Sequence, residues 1–222
     1  MKKPVIATPE VTNYILRRFN LHADKKLGQN FLIDEDIVRR IAAAAELAPG
    51  EPVLEVGPGI GTLTQALAET GADVTAVELD KRLLPVLEKT LEGYENVRVI
   101  NADVLELDVN SAMGGKTFKV AANLPYYITT PIIFALLEKK LPLERMVIMV
   151  QKEVAERITA AEEKITARFR LPCSITQSRK LPLSCRRQAL FRAQAWTVPL
   201  WYAKTVLCRR WKFVMKNCFS GW

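Results

Sequence analysis

Asn123-Leu124-Pro125-Tyr126-Tyr127 carries the most specific chemistry in this chain. The exocyclic amine of a nucleobase is a poor nucleophile because its lone pair is delocalised into the ring. A site that accepts hydrogen bonds from both N–H groups favours a pyramidal nitrogen with a localised pair. Asn123 offers a side-chain carbonyl for one of them. Leu124 offers a backbone carbonyl, held extended by Pro125, because the residue before proline is pushed out of the helical region. Tyr126 can stack on the flat base, as flipped or single-stranded bases are commonly held. If the attacked carbon is a methyl on a sulfonium, no general base of shifted pKa is needed. The competing explanation is a strand end with a proline turn and two core tyrosines.

A second group could hold a nucleotide-like cofactor. Val53-Leu54-Glu55-Val56 turns abruptly into Gly57-Pro58-Gly59-Ile60-Gly61. Glycine has no β-carbon, so it takes positive φ and lets a ligand approach the backbone. Pro58 has no N–H, so Gly57, Gly59 and Gly61 are expected to supply the donors of the turn. Glu78 ends the next apolar run, about 20 residues on, where an acid accepts from two ribose hydroxyls. Asp103 follows a third run and can accept from an adenine amino group. Taken singly, each could be a solvated loop carboxylate. In order, they line one crevice at the strand ends of an open α/β sheet. Dinucleotide oxidoreductases and S-adenosylmethionine methyltransferases share this plan, and these strands do not choose between them.

The elements that must position these groups alternate. Thr8-Pro9-Glu10 opens a helix over 8–20 with a capping hydroxyl, proline at the first position and an acid in the first turn. Asp34 caps the next helix, which Pro49-Gly50 stops. Strands are expected at 53–56, 73–77, 97–100, 118–122 and 145–150, with helices at 62–70, 81–91, 130–140 and 151–161 between and after them. Residues 111–116 read as a glycine-bearing loop. The alternation implies α/β architecture, a mainly parallel sheet with helices on both faces.

No apolar run reaches the roughly 18–20 residues that span a membrane, and Met1-Lys2-Lys3-Pro4 lacks a signal-peptide core. A soluble, cytoplasmic protein is expected. The net charge of +8 is misleading as an average. Residues 1–163 sum to −5, while residues 164–222 hold 13 Lys and Arg and no acid. All four Cys and all four Trp lie in that tail, and the cysteines lack the paired spacing of a metal site.

The motifs together resemble the ribosomal RNA adenine dimethyltransferases, which methylate two adjacent adenines near the 3′ end of small-subunit RNA. The stretches are Lys26-Leu27-Gly28-Gln29-Asn30-Phe31-Leu32, Glu55-Val56-Gly57-Pro58-Gly59-Ile60-Gly61, Val77-Glu78-Leu79-Asp80, Asn101-Ala102-Asp103, Asn123-Leu124-Pro125-Tyr126-Tyr127 and Val150-Gln151-Lys152-Glu153-Val154-Ala155-Glu156-Arg157. They cover about 20–160 in order. The resemblance implies a Rossmann-like methyltransferase fold over residues 1–161, with a cofactor core at 27–161, and S-adenosylmethionine as cofactor. It implies Gly57 and Gly59 against the methionine portion, with Asn30 and Leu32 closing over it. Glu78 would take the ribose and Asp103 the adenine. Asn123 would touch both cofactor and target amine, with Leu124, Pro125 and Tyr126 completing the target pocket. The implied partner is 16S rRNA in the small ribosomal subunit, bound by a monomer without a metal. A ribosome-assembly binding factor and an inactive product of such a gene are the alternatives.

The resemblance stops at about Ala161, and residues 162–222 read as an aberrant basic tail. Slipping the frame back one base lets Glu163 to Arg170 read Lys-Asp-Tyr-Gly-Ala-Leu-Ser, and Cys173 to Lys180 read Val-Gln-Tyr-Tyr-Thr-Glu-Pro-Glu. Phe191 to Trp201 can read Val-Pro-Arg-Pro-Gly-Val-Asp-Ser-Ala-Val-Val. These strings resemble the family's continuation. The expectation is a frameshifted tail and a sheet truncated before its last two strands, with an unpaired edge.

Overall fold

Thr8 starts the first helix, α1 (Pro9–Arg18), its hydroxyl accepting from Val11 N at 3.3 Å. Asp34 starts α2 (Glu35–Ala45) in the same way, through Ile37 N at 3.1 Å. Both caps satisfy helix-end donors that have no partner within the helix. The computed structural model describes residues 3–21, 31–124 and 128–149, with short strands at 173–174, 207–208 and 212–214. Asn30, Pro125, Tyr126 and the helix expected at 151–161 lie outside the described residues.

The remaining elements follow the alternation. They are β1 (Pro52–Val56), α3 (Thr62–Ala68), β2 (Asp73–Glu78), a 3-10 turn (Lys81–Leu83) and α4 (Leu84–Thr90). Then come β3 (Val97–Asn101), α5 (Val109–Ala112), β4 (Phe118–Asn123), α6 (Thr129–Glu138) and β5 (Leu143–Met149). Two differences from expectation are local. Residues 81–91 split where Pro85 opens α4, and α5 forms because Asp108 caps it through Ser111 N. A four-residue helix is too short to leave a periodic signal.

The sheet order is β3-β2-β1-β4-β5, and every pair is parallel. Side chains alternate across it. Val53, Val74, Ala121 and Val147 face α2 and α3, against Ile37, Ile41, Leu63 and Leu67. Leu54, Val120, Met146 and Ile148 face the other layer, with Ile132, Ile133 and Leu136 of α6. At the edge beyond β5, where an unpaired strand was expected, β8 (Lys212–Val214) pairs in parallel with Arg145–Val147. An open edge offers a row of backbone donors and acceptors that an extended segment can take up. Separately, β6 (Cys173–Ser174) and β7 (Leu207–Cys208) pair antiparallel.

Two buried cations brace the amino end of the sheet. Lys119 Nζ donates to Glu46 O at 2.7 Å and pairs with Glu51 at 2.8 Å. Arg145 donates to Ala44 O at 2.8 Å and pairs with Glu46. The chemistry-bearing residues collect at the opposite, carboxyl end.

Candidate functional site

Strand register fixes the site. Val56 stands beside Val77 on one side and Ala122 on the other. One residue further, Gly57 is therefore level with Glu78 and Asn123, and Glu78 in turn pairs with Asn101. Asn123, Gly57, Glu78 and Asn101 form a row along the carboxyl edge. With strands about 4.8 Å apart, the row spans roughly 14 Å. That length suits an extended nucleoside-bearing ligand, reactive at one end and held by its base at the other.

The glycine turn corrects one expectation. Gly57 N donates to Val77 O at 2.9 Å, and Gly61 N to Pro58 O at 3.0 Å. Gly59 N donates to Glu78 Oε2 at 3.1 Å. All three donors are satisfied within the protein. What glycine contributes is shape: φ is +69°, +62° and +88° at the three positions. A β-carbon at Gly57 would meet nothing within 4 Å, and one at Gly59 would meet only the Phe31 ring at 3.6 Å. The turn is thus a smooth cradle where side chains would otherwise stand. Gly61 serves packing instead, since a β-carbon there would lie 3.0 Å from Thr90 Oγ1.

Glu78 is buried and both its oxygens work. Oε2 holds the glycine turn, and Oε1 accepts from Asp80 N at 2.9 Å. Burial lifts its pKa above the ordinary value; the Asp80 charge adds, and backbone amides of Asp80, Gly59 and Leu79 oppose. Each oxygen has two lone pairs, so capacity remains for ribose hydroxyls. Asn101 keeps Glu78 in place by donating from Nδ2 to Glu78 O at 2.7 Å and to Leu79 O at 3.3 Å. Asp103 Oδ1 accepts from Leu105 N at 2.9 Å, which leaves its second oxygen for another donor. Asn123 is half-buried at the end of β4. The Leu124 side chain is buried among the α6 residues, which leaves only its backbone to face a ligand. Leu32 likewise buries its side chain against α2.

Sequence reasoning missed three residues here. Phe31 walls the cradle beside Gly59, and the signal was an aromatic in a polar loop. Leu79, 49% exposed beside Glu78, offers an apolar surface to a flat ring. Glu55, on β1 beneath the turn, is 1% exposed. Its Oε2 makes no hydrogen bond of good geometry, nor does Thr64 Oγ1 near it. Burial pushes the Glu55 pKa up to about 8, with the Glu78 charge adding and the Thr64 hydroxyl opposing. Glu55 is therefore mostly neutral at pH 7.

Two predictions follow from these carboxyls. Between pH 4.5 and about 8 the folded chain binds a proton at Glu55 that the unfolded chain does not. Stability from this group is complete below pH 4.5 and is lost as pH rises through that window. Glu55→Gln removes the titration. It should flatten the pH dependence of urea melts and stabilise the chain at pH 8, by at most about 5 kcal/mol. Parallel pH profiles for wild type and variant would show that Glu55 is ionised when folded. Glu78→Ala deletes charge-assisted hydrogen bonds of about 1.5–3 kcal/mol. It should weaken S-adenosylmethionine binding at least about tenfold by calorimetry; an unchanged affinity removes Glu78 from the site.

Comparisons with known proteins bear on the family and the fold. A family model described as ribosomal RNA adenine dimethylase matches residues 20–189, a range that runs past the 160 expected from the motifs. The ribosomal RNA small subunit methyltransferase A of Alkaliphilus metalliredigens is 48% identical over 159 residues, covering 70% of this chain and 55% of that protein. The crystal structure of a dimethyladenosine transferase from Plasmodium falciparum is 30% identical with a TM-score of 0.55, covering 66% of this chain and 54% of that one. That of the 23S rRNA methyltransferase ErmE is 39% identical with a TM-score of 0.54, covering 59% and 52%. The chain spans about half the length of the curated relatives it matches.

Proposed function

We propose that this chain, which belongs to the ribosomal RNA adenine dimethylase family, carries the machinery for N6,N6-dimethylation of two adjacent adenines near the 3′ end of 16S rRNA. The observation that carries this reading is the level row of Asn123, Gly57 and Glu78 across three neighbouring parallel strands. One end of the row holds an amide suited to a base amine, and the other a carboxylate suited to a ribose.

The residues fit S-adenosylmethionine. The open cradle at Gly57 and Gly59 takes the methionine portion, with Phe31 as its wall. Glu78 takes the ribose hydroxyls, Asp103 the adenine amine, and Leu79 the face of the ring. Asn30 and Leu32 close over the methionine portion, Leu32 through its backbone. When bound, the cofactor supplies an electrophilic methyl on a sulfonium. Asn123 and the Leu124 carbonyl accept from the target amine, with Pro125 and Tyr126 completing its pocket. Held by these two acceptors, the amine would present a localised lone pair to the methyl group that the cofactor would supply, and its proton would pass to water. A second methyl follows by the same route.

Residues 1–161 form the methyltransferase body in this reading, acting as a monomer on the small subunit in the cytoplasm. Among the described residues no helix is long and apolar enough to cross a membrane. The test is transfer of labelled methyl to undermethylated small-subunit particles by a form of the chain with the reading frame restored beyond codon 163, followed by nucleoside mass analysis. N6,N6-Dimethyladenosine supports the reading. Tight particle binding without transfer favours an assembly factor instead.

A further inference from the structure

The body has the wrong net charge for an RNA substrate. Residues 34–163 sum to −9, whereas residues 1–33 sum to +4. RNA binding is driven by neutralising phosphates, so an acidic body needs a local basic surface. Helix α1 provides one beside the crevice. Its inward residues Ile15 and Leu16 pack with Phe31, with Ile60 of the glycine turn, and with Leu83 and Val86 beyond β2. Those contacts seat α1 on the rim of the cradle.

The outward face is different. Tyr14 is 67% exposed, and Arg17 and Arg18 are exposed with it. Positions 14, 17 and 18 fall on one helix face by their spacing of three and four. With Glu10 and Asn13 they line an open groove of 530 Å³. Arg39, Arg82 and Lys89, elsewhere on the surface, pair with acids. Arg17 and Arg18 hold no hydrogen bond or ion pair through their side chains to a described residue. Their place in the last turn of α1 suits the helix dipole, but that does not account for the exposed aromatic one turn before them on the same face.

We infer that the outer face of α1 is a docking surface for single-stranded RNA flanking the target bases. Tyr14 stacks a base, and Arg17 and Arg18 neutralise phosphates. Glu10, the one acid in the groove, repels phosphate and confines the strand to the carboxyl-terminal half of the helix. This inference rests on the RNA-methylating reading.

The test titrates a fluorescent 12-nucleotide single-stranded RNA with the full chain across a salt series. Arg17→Glu with Arg18→Glu should lower affinity at least about tenfold and shallow the log–log salt slope by about 1.4, at about 0.7 per phosphate contact on a single strand. Arg39→Glu with Lys89→Glu makes the same change in net charge elsewhere, and so controls for the basic tail. It should leave affinity within about twofold if only local phosphate contacts matter. Tyr14→Ala should weaken binding at least about fivefold through lost stacking, and Tyr14→Phe should restore it. Equal losses in the two charge pairs, or none in the α1 pair, overturn the surface. Polyglutamate binding that equals RNA binding and ignores Tyr14→Ala does so as well. Failure of the surface with methyl transfer intact in a form whose reading frame is restored beyond codon 163 leaves the proposed function standing; failure of transfer in that form overturns the function itself.

Discussion

Shifting the reading frame back by one base near codons 160–163 is expected to turn a weakly active or inactive chain into a working methyltransferase. We propose that residues 164–222 are an out-of-frame reading. Fifty-nine residues without one Asp or Glu follow a body that holds 24. Three acids in the shifted frame are forced by the genetic code. Trp196 has one codon, ending in G, so Thr197 must yield Asp. Lys212 after Trp211, and Lys216 after Met215, must yield Glu. The current tail places Lys212–Val214 on the β5 edge, a three-residue cover for a seven-residue strand. Among the described residues nothing else pairs with that side of β5, and an open edge is prone to aggregation. The measurement is the coding DNA from codon 155 onward, then expression of both forms, with soluble yield and methyl transfer compared. Stops in the shifted frame beyond codon 163 would end the proposal. So would a tail, as written, that resists protease and is required for transfer.

In the frame-restored chain, Asn123→Ala should abolish transfer while leaving most cofactor affinity. Asn123 ends β4 level with the cradle, and its amide is the side-chain acceptor proposed for the target amine. Without it the nitrogen keeps its lone pair in the ring. Losing one oriented hydrogen-bonding group at a reacting centre costs about 10²–10³ in rate, and two successive methylations compound the loss. Cofactor affinity rests mainly on Glu78, Asp103 and the cradle, so calorimetry should change little. Transfer within about tenfold of wild type would remove Asn123 from the chemistry, since so small a loss is less than one such group contributes.

Much of this was legible in the sequence, and the rest was not, for physical reasons. The caps at Thr8 and Asp34 are local, so residue type alone placed both helix starts. The five parallel strands followed from apolar runs alternating with helices. The partners of the glycine donors were not legible, because Gly59 bonds a carboxylate 19 residues away that only the folded sheet brings near. Glu55 looked like part of a motif; its near-complete burial depends on α3 closing over β1. Asn101 read as a loop residue, yet its side chain straps the ends of β2 and β3. Pattern reveals what repeats along the chain, while these contacts depend on register between strands.

The internal satisfaction of the glycine turn has a calorimetric consequence. A loop whose donors await a ligand must order on binding, and it adds its own buried area to the heat-capacity change. Here Val77, Glu78 and Pro58 already hold the three donors. Cofactor association should then show a small negative heat-capacity change, set by the ligand's own apolar burial with little from folding of the site. In the proposed pose the entropic penalty at the glycine turn is correspondingly small.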